Sequence, residues 1–287
     1  MMPIPSPIPG VKCLIFGKAG RGKTYSTRTL FDITGLQPVH VFLEPSQSTI
    51  SDIPEAQWAH VSPYGDETNS NTIIEMFSRI NTMSNEDLQK SGGMTTKRDM
   101  HQILDFLNLL NNFKTTKGQT YGDVATWGTD KILVIDGLTD LTRMARHNQS
   151  GLKPLLTQPD YGAIMYSIET LLKYLTEQLW CHLVLIAHVE QERDEVGGGY
   201  LKSISTIGRK LAPIIPPMFD DVIMAYEQGG KFLWSTMESD ADTKNRTMPL
   251  SQTLDQDFAI LFDAWKAKGG VFSSGRPGAE MAGADGA

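Results

Sequence analysis

Short apolar runs alternate with longer amphipathic stretches along the chain, and this alternation predicts the main secondary structure. The runs at 11–16, 39–43, 131–135 and 182–187 are too short for helices and are typical of buried strands. Apolar residues recur at helical spacing between them, notably over 71–83, 100–113 and 161–180. The pattern predicts an α/β fold, with a mostly parallel sheet, helices on both faces, a helical insertion and a C-terminal hairpin.

Each of the four predicted strands is followed by glycine or a polar residue. These residues are Gly17, Glu44, Asp136 and His188. Because the carboxyl ends of parallel strands meet at one edge of a sheet, ligands of such folds bind there. The sequence therefore predicts a functional site at this edge.

The first strand runs directly into Gly17–Thr24, GKAGRGKT, which fits the motif G-x-x-x-x-G-K-[ST] at every defined position. Glycines let backbone N–H groups surround a phosphate, a lysine reaches the β- and γ-phosphates, and a hydroxyl ligates Mg²⁺. A chance glycine-rich turn is the alternative, but a strand precedes the motif and a helix is predicted over Thr24–Phe31. We expect ATP and Mg²⁺ as cofactors, with nucleotide-binding residues Gly17, Lys18, Ala19, Gly20, Arg21, Gly22, Lys23, Thr24 and Tyr25.

The strand at 131–136 ends in Asp136, and a strand-end aspartate downstream of a phosphate loop is the pattern of a Walker B carboxylate. Such a carboxylate holds Mg²⁺ directly or through water, so Thr24 and Asp136 are the expected metal residues. The alternative is an ordinary aspartate that caps a turn.

The remaining stretches predict how the chain is divided. Residues 1–10 contain four prolines and predict an extended lead-in, and residues 11–268 form the main domain. The further expectations are a helical insertion at about 62–130 whose end, 114–130, is a surface loop; polar loops at 138–158 and 190–209; a hairpin of Val222–Tyr226 and Lys231–Trp234; a helix over Asp257–Lys268; and a disordered tail at 269–287.

Composition narrows the function classes. The 287 residues carry a net charge of −7, which excludes a globally basic nucleic-acid coat, so any such contact must come from local basic segments. The two cysteines, Cys13 and Cys181, lie in apolar runs and are expected to be buried free thiols. No 18-residue apolar run is present, and the proline-rich start does not fit a signal peptide, so we expect a cytoplasmic protein without a membrane partner.

With these residues in place, the chain resembles RecA-like P-loop ATPases, in particular those of bacteriophages, a group that includes single-strand-annealing recombination proteins. The resemblance covers about residues 9–262 and rests mainly on the phosphate loop and LVIDGLTDL, and less on VLIAHVEQERDE and GRKLAPIIPPMFDDV. It implies an oligomeric ATPase, ring or filament, that acts on single-stranded DNA. It also implies phage recombination or replication proteins as partners, in the cytoplasm of an infected bacterium.

The resemblance also implies roles for strand-end and downstream residues. Glu44 is expected to activate the attacking water, beside Lys23, and His188 to sense the γ-phosphate. The alternatives are a turn carboxylate, since Pro45 follows Glu44, and a structural histidine. Lys244 and Arg246 resemble a Lys-x-Arg pair that reaches a neighbouring subunit's nucleotide, for which an exposed charged turn is the alternative.

The segments after Asp136 and His188 hold the positions that grip single-stranded DNA in RecA-like proteins. The expected nucleic-acid-binding residues are Arg143, Arg146, Lys153, Tyr200, Lys202 and Arg209. Acidic residues at 190–195 oppose this assignment and leave solvated loops as the alternative. Two other functions stay open: a nucleotide-dependent switch or loader whose loops bind proteins, and a small-molecule kinase, for which 84–98 is a poor lid.

Overall fold

The structure, a computed structural model, describes residues 7–63, 74, 77–78, 81–82, 84, 101–151, 155–193, 200–208 and 210–277. Its strands are β1 (Lys12–Gly17), β2 (Gln37–Phe42), β3 (Gln57–His60), β4 (Phe113–Lys114), β5 (Thr120–Gly122), β6 (Lys131–Asp136), β7 (His182–Arg193), β8 (Tyr200–Ile204), β9 (Asp221–Gln228), β10 (Lys231–Ser235), β11 (Lys244–Asn245) and β12 (Leu254–Asp255). Its helices are α1 (Lys23–Ser26), α2 (Gln102–Asn111), α3 (Leu138–Ser150), α4 (Gln158–Lys173) and α5 (Ala259–Ala267).

A single large sheet forms the centre of the fold, in the order β12-β10-β9-β1-β7-β6-β2-β3. The strands from β9 to β3 are all parallel, and β10 and β12 add an antiparallel edge. The predicted α/β class with a mostly parallel sheet is confirmed. So is the hairpin at the C-terminal side, where β9 and β10 turn at Gly229 and Gly230, both at positive φ.

Alternating side chains of β1 enter two separate cores, one on each face of the sheet. Leu14 and Phe16 pack with residues of α2, α3 and α4, whereas Cys13 and Ile15 pack with α5 and the segment after α1. Full burial on both faces explains why the central strands are continuous apolar runs. Cys13 and Cys181 are buried and free, as predicted.

The helix after the phosphate loop is shorter than predicted. Only Lys23–Ser26 is α-helical, and Thr27–Asp32 continues as a 3₁₀-helix instead of the expected helix to Phe31. Hydroxyl groups explain the change: Ser26, Thr27 and Thr29 each donate to the carbonyl three residues earlier, at 2.6–2.9 Å. Such bonds compete with the α-helical ladder and tighten the turn.

Both polar stretches that were predicted to be loops are regular structure. Residues 138–150 form α3, whose apolar residues Leu138, Leu141 and Ala145 are buried at helical spacing. Beyond His188, β7 continues to Arg193 and pairs antiparallel with β8, so the part of 190–209 that the structure describes is mainly a hairpin. Residues 194–199 lie outside the described part of the chain. In both segments the backbone N–H and C=O groups form hydrogen bonds within the helix or between the strands, whereas in solvated loops such groups bond to water.

The end of the predicted insertion is also ordered against the core. Instead of a surface loop, β4 and β5 form a short hairpin, and Trp127 is buried against Phe113 and Tyr121. The helix α2 confirms the expected helical character at 100–113. Most of the helix expected over 71–83 lies outside the described residues.

Residues 269–277 do not form the start of a disordered tail. Ser273 accepts from the Asp130 N–H at 3.0 Å, and Phe272 lies against the rings of Phe262 and Trp265 in α5. Buried aromatic area and backbone hydrogen bonds hold this segment, although its composition resembles that of disordered chains. Residues 278–287 lie outside the described part. Among the residues that the structure describes, no helix has the length and apolarity needed to cross a bilayer.

Candidate nucleotide site

The loop between β1 and α1 has the backbone that its glycines permit. Gly20 and Gly22 have φ of 69° and 78°, a conformation that L-residues with side chains rarely adopt. At Gly17 a Cβ atom would lie 2.3 Å from the Ala225 carbonyl oxygen of β9, so only glycine fits this position. The loop is therefore shaped by its own sequence and by the neighbouring strand.

Two long-range contacts from the antiparallel side of the sheet hold the loop in place. The Gln256 amide donates to the Arg21 carbonyl at 2.9 Å, and the Arg21 guanidinium pairs with Glu227 at 3.0 Å. Gln256 and Glu227 were not predicted, because they lie more than 200 positions away in the sequence and belong to no motif.

Lys23 folds back over the loop. Its Nζ donates to the carbonyls of Gly17 and Lys18 at 3.0 and 2.9 Å. Burial lowers the pKa of Lys23, while Asp136 and Glu44 oppose that shift through their charges. An ammonium with these neighbours is placed to meet phosphate oxygens that enter the loop.

Asp136 is buried at the end of β6 and accepts two hydroxyl hydrogen bonds. Thr24 Oγ1 donates to its Oδ2 at 2.9 Å and Ser46 Oγ donates to the same oxygen at 2.6 Å. Burial raises the pKa of Asp136, and the two hydroxyl groups act in the opposite direction. Ser46 was missed at the sequence level, since a serine after a strand carries no motif of its own.

The hydroxyl–carboxylate pair of Thr24 and Asp136 fits Mg²⁺. This ion prefers one or two protein oxygens together with substrate phosphates and water. Among the described residues, no three His, Cys, Asp or Glu side chains converge as a metal cage. Thr24 and Asp136 would therefore hold the ion only in combination with a bound triphosphate.

Glu44 and His188 lie together at the same edge of the sheet. The Nε2 atom of His188 is 3.2 Å from Oε1 and 3.3 Å from Oε2 of Glu44. This hydrogen bond lowers the pKa of Glu44, with smaller contributions from Lys23 and Arg143, so the carboxylate stays ionised at neutral pH. Gly137, at φ 125°, leaves room for it, because a Cβ there would lie 3.1 Å from Glu44 Cγ.

These groups line one cleft of about 640 Å³. The predicted phosphate, metal, base and sensor residues Lys23, Thr24, Asp136, Glu44 and His188 all face it. The cleft is also lined by Tyr25, Arg28, Thr49 and Asp52. The structure thus brings Lys23 and Thr24 of the loop together with Glu44, Asp136 and His188, which lie in or just after three different strands.

The predicted nucleic-acid residues are dispersed. Arg143 in α3 forms an ion pair with Asp140, and Lys202 in β8 pairs with Asp240 at 2.9 Å. Tyr200 is 65% exposed on the hairpin. Arg146 lies in α3, whereas Lys153 and Arg209 lie outside the described residues.

Lys244 and Arg246 lie at the opposite edge of the sheet from the phosphate loop. In β11, Lys244 is opposite Val222 near the start of β9, and its Nζ donates to the Pro217 carbonyl at 3.0 Å. Arg246 pairs with Asp220 at 2.9 Å, while its side chain is 66% exposed. Neither side chain joins the cleft of its own chain, and a role on a neighbouring subunit stays a prediction.

A glycine-shaped loop whose lysine and threonine face a strand-end aspartate defines the class of P-loop nucleotide-binding domains. The chain belongs to the AAA domain family, a family of P-loop ATPase domains, whose model matches residues 9–247. No curated protein sequence matches the chain.

Two solved structures are similar at low scores. One is a Pyrococcus horikoshii OT3 protein studied as project PH0250, with a TM-score of 0.35, 6% identity, and coverage of 84% of this chain and 95% of that one. The other is the N-terminal domain of zonular occludens toxin from Neisseria meningitidis, with a TM-score of 0.31, 10% identity, and coverage of 81% and 86%. Similarities at these TM-scores do not indicate a shared function.

Replacing the buried Asp136 should change ligand-free stability and ligand binding in opposite directions. Because burial raises its pKa, ionised Asp136 destabilises the free protein at pH 7, and protonation relieves this as the pH falls toward the unfolded-state pKa. Asp136→Asn should raise the thermal unfolding midpoint without ligand. It should also lose most of the stabilisation by Mg²⁺ and ATP, which is about 2.7 kcal/mol at a hundredfold excess over Kd.

Thermal unfolding with and without Mg²⁺ and ATP measures both effects. The exposed Asp263 in α5 gives the control Asp263→Asn, which should match the wild type in both measurements. A lower midpoint for ligand-free Asp136→Asn than for the wild type would contradict the prediction.

Proposed function

We propose that the chain is a Mg²⁺-dependent ATPase that hydrolyses the β–γ bond of ATP to give ADP and phosphate. One observation carries this proposal: an ionised carboxylate, Glu44, lies in the same cleft as Lys23, Thr24 and Asp136. Binding alone needs the loop, the lysine and the metal residues. A fixed carboxylate at the phosphate end additionally supports the activation of water.

In this mechanism Glu44 orients a water molecule toward the γ-phosphorus and accepts its proton as the P–O bond to the leaving β-phosphate breaks. His188 holds the carboxylate through the 3.2 Å contact and lines the same cleft as Lys23. Lys23 leaves the carbonyls of Gly17 and Lys18 to neutralise phosphoryl oxygens. Bound Mg²⁺ supplies positive charge that stabilises the triphosphate and the leaving group.

The polymer on which this ATPase acts is proposed to be single-stranded DNA, in phage recombination or replication. The hairpin of β7 and β8 supports this, because β7 continues from His188 to Arg193, and Arg193 pairs with the exposed Tyr200 of β8. A change at the γ-phosphate can therefore reach the hairpin along one strand. An exposed tyrosine there offers a stacking surface for an unpaired base.

A second candidate function is a nucleotide-dependent switch or loader that binds protein partners. It is favoured by the ion pairs of Lys202 with Asp240 and of Arg143 with Asp140, because DNA phosphates would have to displace these acids. The net charge of −7 favours it as well.

We also propose that the active form is a homo-oligomer. The exposure of Arg246 supports this proposal, since an arginine at a subunit boundary can stabilise charge on a neighbour's phosphates. In that assembly the guanidinium would exchange Asp220 for the phosphate of the neighbouring subunit.

Two substitutions separate binding from hydrolysis. Lys23→Ala removes the charge that meets the phosphates and should abolish ATP binding and turnover. Glu44→Gln keeps the size of the side chain but removes the proton acceptor, so ATP should still bind while turnover falls by about 10²-fold or more. Calorimetry and phosphate release measure the two effects. Turnover within a factor of three of the wild type in Glu44→Gln would contradict the base assignment.

The DNA proposal predicts that single-stranded DNA stimulates ATP turnover and that Tyr200→Ala weakens this effect. Loss of one stacked base should raise the DNA concentration for half-maximal stimulation by about tenfold. Tyr166→Ala in α4, where the tyrosine is 71% exposed, is the matched control and should behave as the wild type. Unchanged turnover at every DNA concentration, at low salt, would refute the DNA proposal and favour protein partners.

A further inference from the structure

The cleft extends beyond the groups that would hold phosphates. Its lining also includes Tyr25 and Arg28 from the segment after the loop, and Thr49 and Asp52 after β2. Tyr25 is 61% exposed although it follows Thr24 directly. An exposed aromatic ring inside a polar cleft needs an explanation other than packing in the core.

Arg28 is fixed beside this ring. Its Nη1 donates to the Thr49 carbonyl at 2.7 Å, and its two terminal nitrogens bind the Asp52 carboxylate at 2.5 and 2.8 Å. The guanidinium carbon lies 5.5 Å from the centroid of the Tyr25 ring, within the range of a cation–π contact. Contacts therefore link Asp52 to Arg28 and Arg28 to Tyr25 in the ligand-free protein. The group of Tyr25, Arg28 and Asp52 is called the plate below.

The spacing of Tyr25 and Arg28 explains why they meet. Tyr25 lies in α1 and Arg28 in the 3₁₀-helix Thr27–Asp32, and side chains three residues apart are neighbours in both kinds of helix. The buried His40 anchors the 3₁₀-helix. Its ring stacks between Phe31 and Phe42, and its Nε2 atom lies 3.0 Å from Thr27 Oγ1. Full burial lowers the pKa of His40 to about 3, so this ring is neutral at pH 7.

We infer that the plate is the platform on which the nucleobase of the bound nucleotide stacks. Tyr25 and Arg28 line the same cleft as Lys23, Thr24 and Asp136, and Tyr25 directly follows Thr24. A nucleotide whose triphosphate is held by the loop would therefore have the plate within the same cleft. Flat aromatic and guanidinium surfaces suit a heterocyclic base, because every base has a π-face. Since Arg28 is already held by three hydrogen bonds, little side-chain freedom is lost when the base arrives.

This inference rests on the proposed nucleotide binding, and inorganic tripolyphosphate separates the two. Tripolyphosphate carries the phosphate contacts without a base, so the ratio of its Kd to the Kd of a non-hydrolysable ATP analogue measures the contribution of the nucleoside. Calorimetry with Mg²⁺ on the full chain gives both constants. Tyr25→Ala should weaken binding of the ATP analogue by about tenfold and leave tripolyphosphate binding unchanged.

Three further variants sharpen the test. Tyr25→Phe keeps the ring and should retain the wild-type ratio, whereas Arg28→Ala should lower the ratio in the same direction as Tyr25→Ala. Tyr166→Ala, an exposed tyrosine outside the cleft, should change neither constant. An unchanged ratio in both Tyr25→Ala and Arg28→Ala would overturn the platform. If the wild type bound neither ligand, the proposed function itself would fail instead.

Discussion

The register of the four parallel strands β1, β7, β6 and β2 is the constraint on which the site depends. In the sheet, Gly17 lies opposite His188, and Asp136 lies opposite both Phe42 and Ile186. Glu44 and His188 each come two residues beyond the level of Asp136. That common offset brings the two side chains within 3.2 Å, although 144 positions separate them in the sequence. The site follows from the register, and the register is fixed because both sheet faces are buried.

A second constraint is the burial of charge at this edge. Asp136, Asp140 and Lys23 are all partly or fully removed from water. Burial raises the pKa of both aspartates and lowers the pKa of Lys23, so it favours the neutral form of each group. Two hydroxyl groups on Asp136 and the ion pair of Asp140 with Arg143 offset only part of this cost. Proteins retain such strain at functional sites when a ligand relieves it. Under the proposed function, a cation near Asp136 and phosphates near Lys23 would relieve it.

The sequence was sufficient for the elements whose signals are local. Buried parallel strands appear as continuous apolar runs, and the residues that end them can be read directly, so Gly17, Lys23, Thr24 and Asp136 could be assigned to one edge. The contacts of Ser46, Glu227 and Gln256 could not, because each depends on a partner 90 or more positions away. Their chemistry exists only after the sheet has formed.

The loop predictions for 138–158 and 190–209 were wrong for a related reason. The helix α3 carries charged residues between its apolar positions, and the hairpin of β7 and β8 begins with acids, so polarity concealed their periodicity. Residues 269–277 resemble a disordered tail in composition but gain order from the aromatic rings of α5. In each case tertiary packing outweighed the local composition.

The most direct measurement is a crystal structure of the full chain with Mg²⁺ and a non-hydrolysable ATP analogue. The account predicts that the triphosphate lies in the loop of Gly17–Thr24, with Lys23 moved from the backbone carbonyls to the β- and γ-phosphates and the Thr24 hydroxyl on the metal. An analogue bound elsewhere, with Lys23 still on the carbonyls of Gly17 and Lys18, would contradict it.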